Sequence, residues 1–215
     1  MIARYQTEFI EYALQAGILS FGEYRLKSGR ISPYFFNAGA FDTGERLSRL
    51  GHLYAEALVE SGLSCDALFG PAYKGIPLAS ITAVALYERF GINIPYAFNR
   101  KELKNHGEGG LIVGADITSE VVIIDDVITA GTAVRETMNT LSKAGISVSG
   151  ILVGIDRQEK GSQNLSAIQE IQVEFGLDVK SIIQLDSIVE YLEKTYCDRK
   201  TLRLIRDYRS KYGIA

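Results

Sequence analysis

The most restrictive feature of this chain is an apolar run at residues 121–124 that ends in two carboxylates, Asp125 and Asp126. The run reads Val-Val-Ile-Ile without polar alternation, which is typical of a central strand covered on both faces of a parallel sheet. A Thr-Ala-Gly-Thr turn follows at residues 129–132, and the spacing beyond it predicts a helix over residues 132–144. A buried strand, a polar turn and a helix in this order predict an α/β fold.

Strand-like and helix-like segments alternate through most of the chain, which favours a mainly parallel central sheet flanked by helices. An amphipathic first helix and a hairpin within residues 24–36 precede them. Ser-x-x-Gln and Ser-x-x-Glu pairs beginning at Ser166 and Ser187 are typical of capping boxes and predict the starts of two late helices. The predicted strands cover residues 67–69, 94–98, 120–125, 148–156 and 179–184, and the predicted helices cover 44–62, 76–90 and 132–144.

Length and composition bound the possible functions. We expect a single domain over residues 1–215, because neither a repeat nor a linker interrupts the chain. Two cysteines, Cys65 and Cys197, and two histidines are too few for a disulfide scaffold or a structural zinc site, and free thiols fit the cytoplasm. A net charge of −3 disfavours nucleic acid, and no apolar stretch reaches the ~18 residues of a membrane span. We therefore expect neither a nucleic-acid nor a membrane partner. We expect the C-terminal helix to expose its basic face to solvent.

The turn after the acidic strand is suited to a phosphate. In open α/β sheets ligands bind at the carboxyl ends of strands, where a helix N-terminus offers unpaired N–H groups. Gly131 allows close approach, and Thr129 and Thr132 add hydroxyl donors. The carboxylates of Asp125 and Asp126 would repel a phosphate unless they meet sugar hydroxyls or a hydrated Mg²⁺. The alternative is that the two acids only cap the turn.

Two further segments carry cations. Residues 70–75 (Gly-Pro-Ala-Tyr-Lys-Gly) join a predicted strand to a predicted helix, so they form either a second phosphate cradle or a plain turn. Residues 99–116 are predicted as a long, glycine-rich loop that can close over an anion, with an exposed basic surface as the alternative. The cationic side chains of this loop are Arg100, Lys101, Lys104 and His106.

The strand, the acidic pair and the Thr-Ala-Gly-Thr turn together resemble the 5-phosphoribosyl diphosphate (PRPP) motif of the type I phosphoribosyltransferases. The resemblance implies that the acidic pair contacts the ribose hydroxyls and that residues 129–133 wrap the 5′-phosphate. It also implies a pyrophosphate loop at residues 70–75 with a cis peptide bond after Ala72. Mg²⁺ is the implied cofactor, held by PRPP and water without direct protein ligands. The implied PRPP-binding residues are Lys27, Tyr73, Lys74, Arg100, Lys101, Lys104, His106, Asp125, Asp126, Val127, Ile128, Thr129, Ala130, Gly131, Thr132 and Ala133.

Much of the remaining chain resembles the orotate phosphoribosyltransferase family, through residues 26–37, 70–75, 98–109 and 156–159. This implies the type I phosphoribosyltransferase fold with an N-terminal hood, formed by about residues 1–40 with C-terminal additions. It implies transfer of the phosphoribosyl group from PRPP to orotate in pyrimidine biosynthesis, by a homodimer whose loop at 99–116 acts in trans. The implied catalytic residues are Lys101, Lys104, His106, Asp125 and Asp126.

The same resemblance assigns the orotate site to Lys27, Phe35, Phe36, Thr129 and Arg157. A planar arginine fork suits a carboxylate, although an ion pair of Arg157 with Glu159 at the surface is the alternative. Phe35 and Phe36 either cover the base or only pack in the core. Two alternatives for the whole protein are a purine-salvage phosphoribosyltransferase and a PRPP-sensing regulator with the same fold.

Overall fold

A computed structural model describes residues 2–26, 28–104, 110–161, 164–195 and 199–214. Lys27, His106 and Cys197 lie outside these residues, and of Lys104 only the backbone is described. None of the described helices is long and apolar enough to cross a bilayer. The helices are α1 (Arg4–Gln15), α2 (Gly44–Ser61), α3 (Gly75–Phe90), α4 (Thr132–Lys143), α5 (Ala167–Phe175), α6 (Leu185–Lys194) and α7 (Arg199–Tyr212). The strands are β1 (Leu19–Arg25), β2 (Ile31–Phe36), β3 (Ala67–Gly70), β4 (Tyr96–Lys104), β5 (Gly110–Gly114), β6 (Val121–Val127), β7 (Val148–Asp156) and β8 (Asp178–Gln184).

Six strands form one sheet in the order β5-β4-β3-β6-β7-β8, and every neighbouring pair is parallel except β4 with β5. β6 lies between β3 and β7, and its first six residues are buried, as the unbroken apolar run predicts. The chain builds the sheet outward in opposite directions from β3 and β6. A crevice therefore opens at the carboxyl ends of these two strands, where such sheets bind ligands. The predicted fold class is confirmed.

Alternate side chains along the strands fill two apolar cores, one on each face of the sheet. Leu68 and Val122 belong to the core that contains residues of α2 and α3, whereas Phe69 and Ile123 belong to the core that contains residues of α4 and α5. Each such side chain contributes about 1.5–3 kcal/mol on burial. A slip of one residue would exchange the two faces, so packing fixes the register of β6 and the position of the acidic pair at its end.

β1 and β2 form a separate two-stranded antiparallel sheet between the first and last helices. Phe9 of α1 stacks on Phe36 of β2, with ring centroids 6.0 Å apart. Tyr34 of β2 is fully buried and meets Tyr208 of α7 edge-on at 6.3 Å. The N-terminal hairpin is thus fixed from both sides, and its function as a hood stays a prediction.

The prediction of a long loop at residues 99–116 was wrong over most of that range. β4 continues to Lys104 and β5 begins at Gly110, and the two strands pair antiparallel with Asn99 opposite Ile112. The partly buried apolar residues of β5 add an edge strand to the sheet, and this pairing with β4 overrides the glycine-rich and charged composition that favours a loop.

One of the two predicted capping boxes was also wrong. Ser166 and Gln169 form a reciprocal box at the start of α5, as predicted, with bonds of 2.9 and 3.1 Å. Ser187, in contrast, is the third residue of α6, and its hydroxyl accepts the Gln184 N–H at 3.3 Å. The reason is that β8 passes directly into α6 without the intervening turn that the serine would have capped.

Candidate active site

Two loops meet in the crevice between β3 and β6. Lys74, which follows β3, places its Nζ atom 2.6 Å from Oδ2 of Asp126, near the end of β6. The Lys74 side chain is 60% exposed whereas that of Asp126 is 10% exposed, so the ammonium reaches in from the solvent side. The structure therefore brings together the acidic pair and the lysine of the second loop, which the sequence predicts at one edge of the sheet.

Asp125 is buried beside Asp126, and its Oδ1 atom accepts the Asp126 N–H at 2.9 Å. Burial, and then the negative charge of Asp126, raise the pKa of Asp125 to about 7. The carboxyl group is therefore partly protonated at neutral pH. A pair in this state can both donate and accept hydrogen bonds, which suits contact with sugar hydroxyls.

The backbone of the acidic pair is held by a residue from another layer. The hydroxyl of Tyr54, in α2, donates to the carbonyl oxygen of Asp125 at 2.8 Å, and both groups are buried. Gly154 of the neighbouring strand leaves room for this hydroxyl, because a Cβ atom there would lie 2.9 Å from Tyr54 Oη. Tyr54 thus helps to fix the position of the β6 backbone that carries the two carboxylates.

The loop at residues 70–75 contains the expected cis peptide bond between Ala72 and Tyr73. Its glycines are required by close approach, since a Cβ atom on Gly70 would lie 2.2 Å from the carbonyl oxygen of Gly75. Asn99 of β4 accepts the Ala72 N–H on Oδ1 at 3.1 Å and donates through Nδ2 to the Arg100 carbonyl at 3.3 Å. One side chain therefore joins this loop to the start of the basic segment.

The turn that follows β6 has the geometry of an anion site. Gly131 is the N-cap residue of α4 with φ of +73°, and no side chain caps the helix, so its first N–H groups are open to a ligand. Arg135 donates to the Ala130 carbonyl at 2.9 Å and to Glu174 of α5 at 2.7 Å, which braces the turn from behind. The exposed residues of the turn are Thr129, Ala130, Thr132 and Ala133, whereas Ile128 is buried and Val127 half-buried.

Part of the predicted basic cover lies beside the crevice. Nζ of Lys101, on β4, lies 4.6 Å from the ring centroid of Tyr73, and this ring is 69% exposed. Arg100 reaches the Gly110 carbonyl at 3.5 Å. The side chain of Lys104 and all of His106 lie outside the described residues, so their predicted contact with pyrophosphate is untested.

Arg157 follows β7 at the same edge of the sheet and contacts the N-terminal hairpin. Its Nε atom donates to Glu159 at 2.8 Å, so the ion pair that the sequence leaves open is present, but both side chains are largely buried rather than at the surface. Burial alone would lower the pKa of Arg157, but Tyr34 and Glu159 outweigh it and the net pKa is raised. The guanidinium is therefore a permanent cation at this position.

A cavity of about 190 Å³ lies behind the acidic pair, lined mainly by apolar side chains of α1, α2, α3 and the segment after β2. Phe36 and Phe41 line its hairpin side, and Lys74 and Asp126 line the side toward the crevice. Phe36 thus packs in the core through Phe9 and still borders this cavity, whereas Phe35 is 38% exposed and stacks on Tyr24 at 5.3 Å.

Comparison with known proteins agrees with this geometry. A model of the phosphoribosyl transferase domain matches residues 41–181. An orotate phosphoribosyltransferase of Photobacterium profundum is 55% identical over 210 residues, which cover 98% of this chain and 99% of the relative. The chain belongs to the orotate phosphoribosyltransferase family. A relative from Pseudomonas aeruginosa with the same name is 54% identical over the same shares of the two chains.

A solved structure supports the same family membership. The crystal structure of an orotate phosphoribosyltransferase from Francisella tularensis superimposes with a TM-score of 0.88 at 45% identity, over 96% of this chain and 99% of that one. The protein is therefore an enzyme, a phosphoribosyltransferase. The general domain match leaves out residues 1–40 and 182–215, so this orotate phosphoribosyltransferase family member adds the hairpin and the last two helices to the common domain.

Sequence reasoning missed three residues whose contacts hold the crevice together. Tyr54 lies on the apolar stripe of α2, Asn99 falls within the predicted loop, and Arg135 lies in the first turn of α4. Gly154, a glycine inside a predicted buried strand, is a usable signal of a close approach, and a Cβ atom there would meet both Tyr54 Oη and the Asp126 carbonyl oxygen. The contacts of Asn99 and Arg135 join segments far apart in sequence, and no local pattern indicates them.

Proposed function

We propose that this protein transfers the 5-phosphoribosyl group from PRPP to N1 of orotate, giving orotidine 5′-monophosphate and pyrophosphate in pyrimidine biosynthesis. The observation that carries the proposal is identity of 54–55% over nearly the full chain to relatives named orotate phosphoribosyltransferase. The crevice supports it, because an acidic pair, an open helix N-terminus and a lysine stand where a sugar with phosphates at both ends would need them.

The substrate PRPP would lie across the switch point between β3 and β6. The turn at residues 129–133 and the first N–H groups of α4 would take the 5′-phosphate. Asp125 and Asp126 would accept and donate hydrogen bonds to the ribose hydroxyls. Lys74 and the backbone of the loop at 70–75 would take the pyrophosphate end, with Tyr73 at its open side.

Reaction requires that the bond from the anomeric carbon to the pyrophosphate oxygen breaks while a bond to N1 of orotate forms on the opposite face, with the N1 proton released to solvent or to the leaving pyrophosphate. Negative charge grows on the leaving pyrophosphate, so cations that are already in place stabilise the transition state. Arg100, Lys101, Lys104 and His106 supply such cations. Charge-assisted hydrogen bonds are worth roughly 1.5–3 kcal/mol each, and no covalent nucleophile is needed.

Orotate would sit between the hairpin and the crevice, with Lys27, Phe35, Phe36 and Thr129 around the ring and Arg157 on the carboxylate. The permanent charge and planar donors of Arg157 support this assignment. The side chain lies at the boundary between the common domain and the added hairpin, where a feature specific to one base would be expected.

The donor set near the crevice fits a substrate-borne Mg²⁺. Within the described residues no group of three or more His, Cys, Asp or Glu could enclose a metal ion. Mg²⁺ binds through few protein carboxylates when phosphates and water complete its shell, and the acidic pair can serve it through water. Bound in this way, Mg²⁺ would neutralise charge on the pyrophosphate.

We further propose a cytoplasmic homodimer in which the segment that includes Lys104 and His106 covers the partner's site, without a nucleic-acid or membrane partner. The acidic net charge and the thiol content support these proposals. Lys101 lies over Tyr73 of its own chain, so a move across the interface would involve the residues beyond β4.

A steady-state assay of the purified enzyme with PRPP and Mg²⁺ tests the reaction. We expect turnover with orotate and at least a hundredfold lower kcat/KM with adenine, hypoxanthine and uracil, because those bases lack the carboxylate. Turnover with a purine alone would establish the purine-salvage alternative, and PRPP binding without turnover of any base would favour the regulator.

A further inference from the structure

The guanidinium of Arg157 is held in a frame formed jointly by Glu159 of the common domain and by residues of the N-terminal hairpin. Nε and Nη2 of Arg157 lie 2.8 and 2.5 Å from the same carboxylate oxygen of Glu159. Nη2 also donates to the fully buried hydroxyl of Ser32 at 3.2 Å, and the Tyr34 ring lies under the guanidinium carbon at 4.4 Å. One edge and one face of the arginine are thereby fixed.

The remaining end of the guanidinium is open. Within the described part of the chain, the hydrogen bonds of Arg157 use Nε and Nη2 and leave Nη1 without one, although the Tyr208 side chain of α7 also interacts with Arg157 and Glu159. This end therefore keeps donors that a substrate carboxylate can take up. Glu159 does not fill the arginine's binding capacity but directs it.

Glu159 is itself held by the two segments outside the common domain. Arg30, in the turn of the hairpin, lies 3.4 Å from the second oxygen of Glu159 and donates to the Lys160 carbonyl at 2.9 Å. The guanidinium carbon of Arg30 lies 4.9 Å from the ring centroid of Tyr212 in α7. The Glu159 carboxylate is 14% exposed and bridges two arginines, one of them from the hairpin.

The C-terminal end of the chain closes this frame through its backbone. The Lys160 N–H donates to the Tyr212 carbonyl at 2.8 Å, and the Ile214 N–H donates to the Gln158 carbonyl at 2.9 Å. Gln158 has a positive φ of 50° and exchanges two hydrogen bonds with Asp186 of α6, at 2.9 and 3.0 Å. Each residue from 158 to 160 is therefore bound to an element outside the common domain.

We infer that Glu159, supported by Arg30 and the C-terminal end of the chain, is the positioning residue that aims Arg157 at the carboxylate of the base and so sets specificity for a carboxylated pyrimidine. The inference rests on the proposed function, since it takes orotate as the ligand of Arg157. It differs from a purely structural role because loss of Glu159 leaves Arg157 charged and present but free to rotate. The cost then falls on recognition of the carboxylate and not on PRPP.

Kinetics of Glu159→Ala with orotate, PRPP and uracil test the inference. We expect the KM for orotate to rise about tenfold, the equivalent of one misplaced charge-assisted hydrogen bond, while the KM for PRPP stays within about twofold. The ratio of kcat/KM for orotate to that for uracil, which lacks the carboxylate, should fall by a similar factor. Glu159→Gln keeps an acceptor for Arg157 and should recover part of both losses.

Glu193→Ala is the matched control, because Glu193 forms an ion pair with Arg206 that ties α6 to α7 away from the crevice. It should leave both KM values and the orotate-to-uracil ratio unchanged. The inference fails if Glu159→Ala and Glu159→Gln leave the orotate KM unchanged, lower it, or raise both KM values equally. Failure of the wild-type enzyme to convert orotate would instead overturn the proposed function.

Discussion

The two neighbouring carboxylates at the end of β6 have different surroundings and so different work. Asp126 faces the ammonium of Lys74 at 2.6 Å, whereas Asp125 is about equally buried and has its carbonyl bound by Tyr54. Burial raises the pKa of Asp125 to about 7, so at neutral pH the pair is partly protonated and carries less than two full negative charges. Two carboxylates beside a polyphosphate are tolerable on this account, because their combined charge is reduced before the substrate arrives.

The raised pKa of Asp125 has a consequence for stability. An unfolded aspartate has a pKa of about 3.9, so the folded protein binds more protons between about pH 4 and pH 7, and its free energy of unfolding falls as the pH rises through that range. Asp125→Asn keeps the acceptor for the Asp126 N–H but removes the titration. We compare the free energy of unfolding of this variant with that of the wild type at each pH. We expect the variant to gain on the wild type between pH 5 and pH 8 by on the order of 2–4 kcal/mol.

Urea unfolding of both proteins at pH 5 and pH 8 measures this difference, provided that the slopes agree. Asp116→Asn, at an exposed carboxylate, is the control and should show no such change between the two pH values. An equal stability difference between Asp125→Asn and wild type at both pH values would mean that Asp125 titrates in the folded protein as it does when unfolded.

At the scale of elements, what the sequence predicts well is what local periodicity encodes. The apolar run of β6, the stripes of the helices and the glycines of the turns led to the α/β class and to both loops of the crevice. β4 and β5 were missed as a pair because the second half of β4 is charged and β5 has only three apolar residues between glycines, so their pairing along the sheet edge decides that they are strands. The frame around Arg157 was missed for the same reason, since it joins residues 30, 159 and 212 across the whole chain.

The side chain of Asn99 adds a tie between β4 and the loop at residues 70–75. Asn99→Ala would leave the Ala72 N–H without its partner and detach the start of the basic segment from the pyrophosphate loop. We expect the KM for PRPP to rise about fivefold to tenfold, the effect of one lost hydrogen bond to a loop that binds charge, with little change for orotate. Initial-rate measurements with each substrate varied in turn give both constants.

Asn93→Ala provides the comparison, because Asn93 is an exposed asparagine ahead of the same strand. Its kinetic constants should match those of the wild type. An unchanged PRPP constant in Asn99→Ala would show that the loop at residues 70–75 keeps its binding geometry without the tie to β4.

For the whole molecule, the net charge of −3 hides a separation of functions between regions. The common domain, residues 41–181, carries the acidic pair and the phosphate turns, whereas the hairpin and the last helices surround Arg157. On the proposed function, PRPP recognition would belong to the common domain, and recognition of the base would belong to the boundary between this domain and the added segments. The basic segment, residues 100–106, begins within β4, and its proposed site of action is in the partner.

Paired variants of two subunits test that arrangement. Lys104→Ala removes a cation of the cover, and Asp125→Asn alters the acidic pair, so each homodimer should have strongly reduced activity. A heterodimer of the two, isolated with two different affinity tags after co-expression, has one site with intact acids under an intact cover if the cover acts in trans. We expect about half of the wild-type rate from this heterodimer, because one of two symmetric sites is complete.

The control heterodimer joins a wild-type chain to a chain with both substitutions. Action in trans puts one defect in each of its two sites, so this heterodimer should be nearly inactive, whereas action in cis leaves one site complete and half of the wild-type rate. Action in trans therefore makes the first heterodimer half-active and the control inactive, and action in cis gives the reverse. The assay needs no knowledge of where Lys104 or His106 lies. If the two chains do not purify together, the proposed dimer is wrong. The cover would then have to close on the site of its own chain, next to the Tyr73 ring over which Lys101 lies.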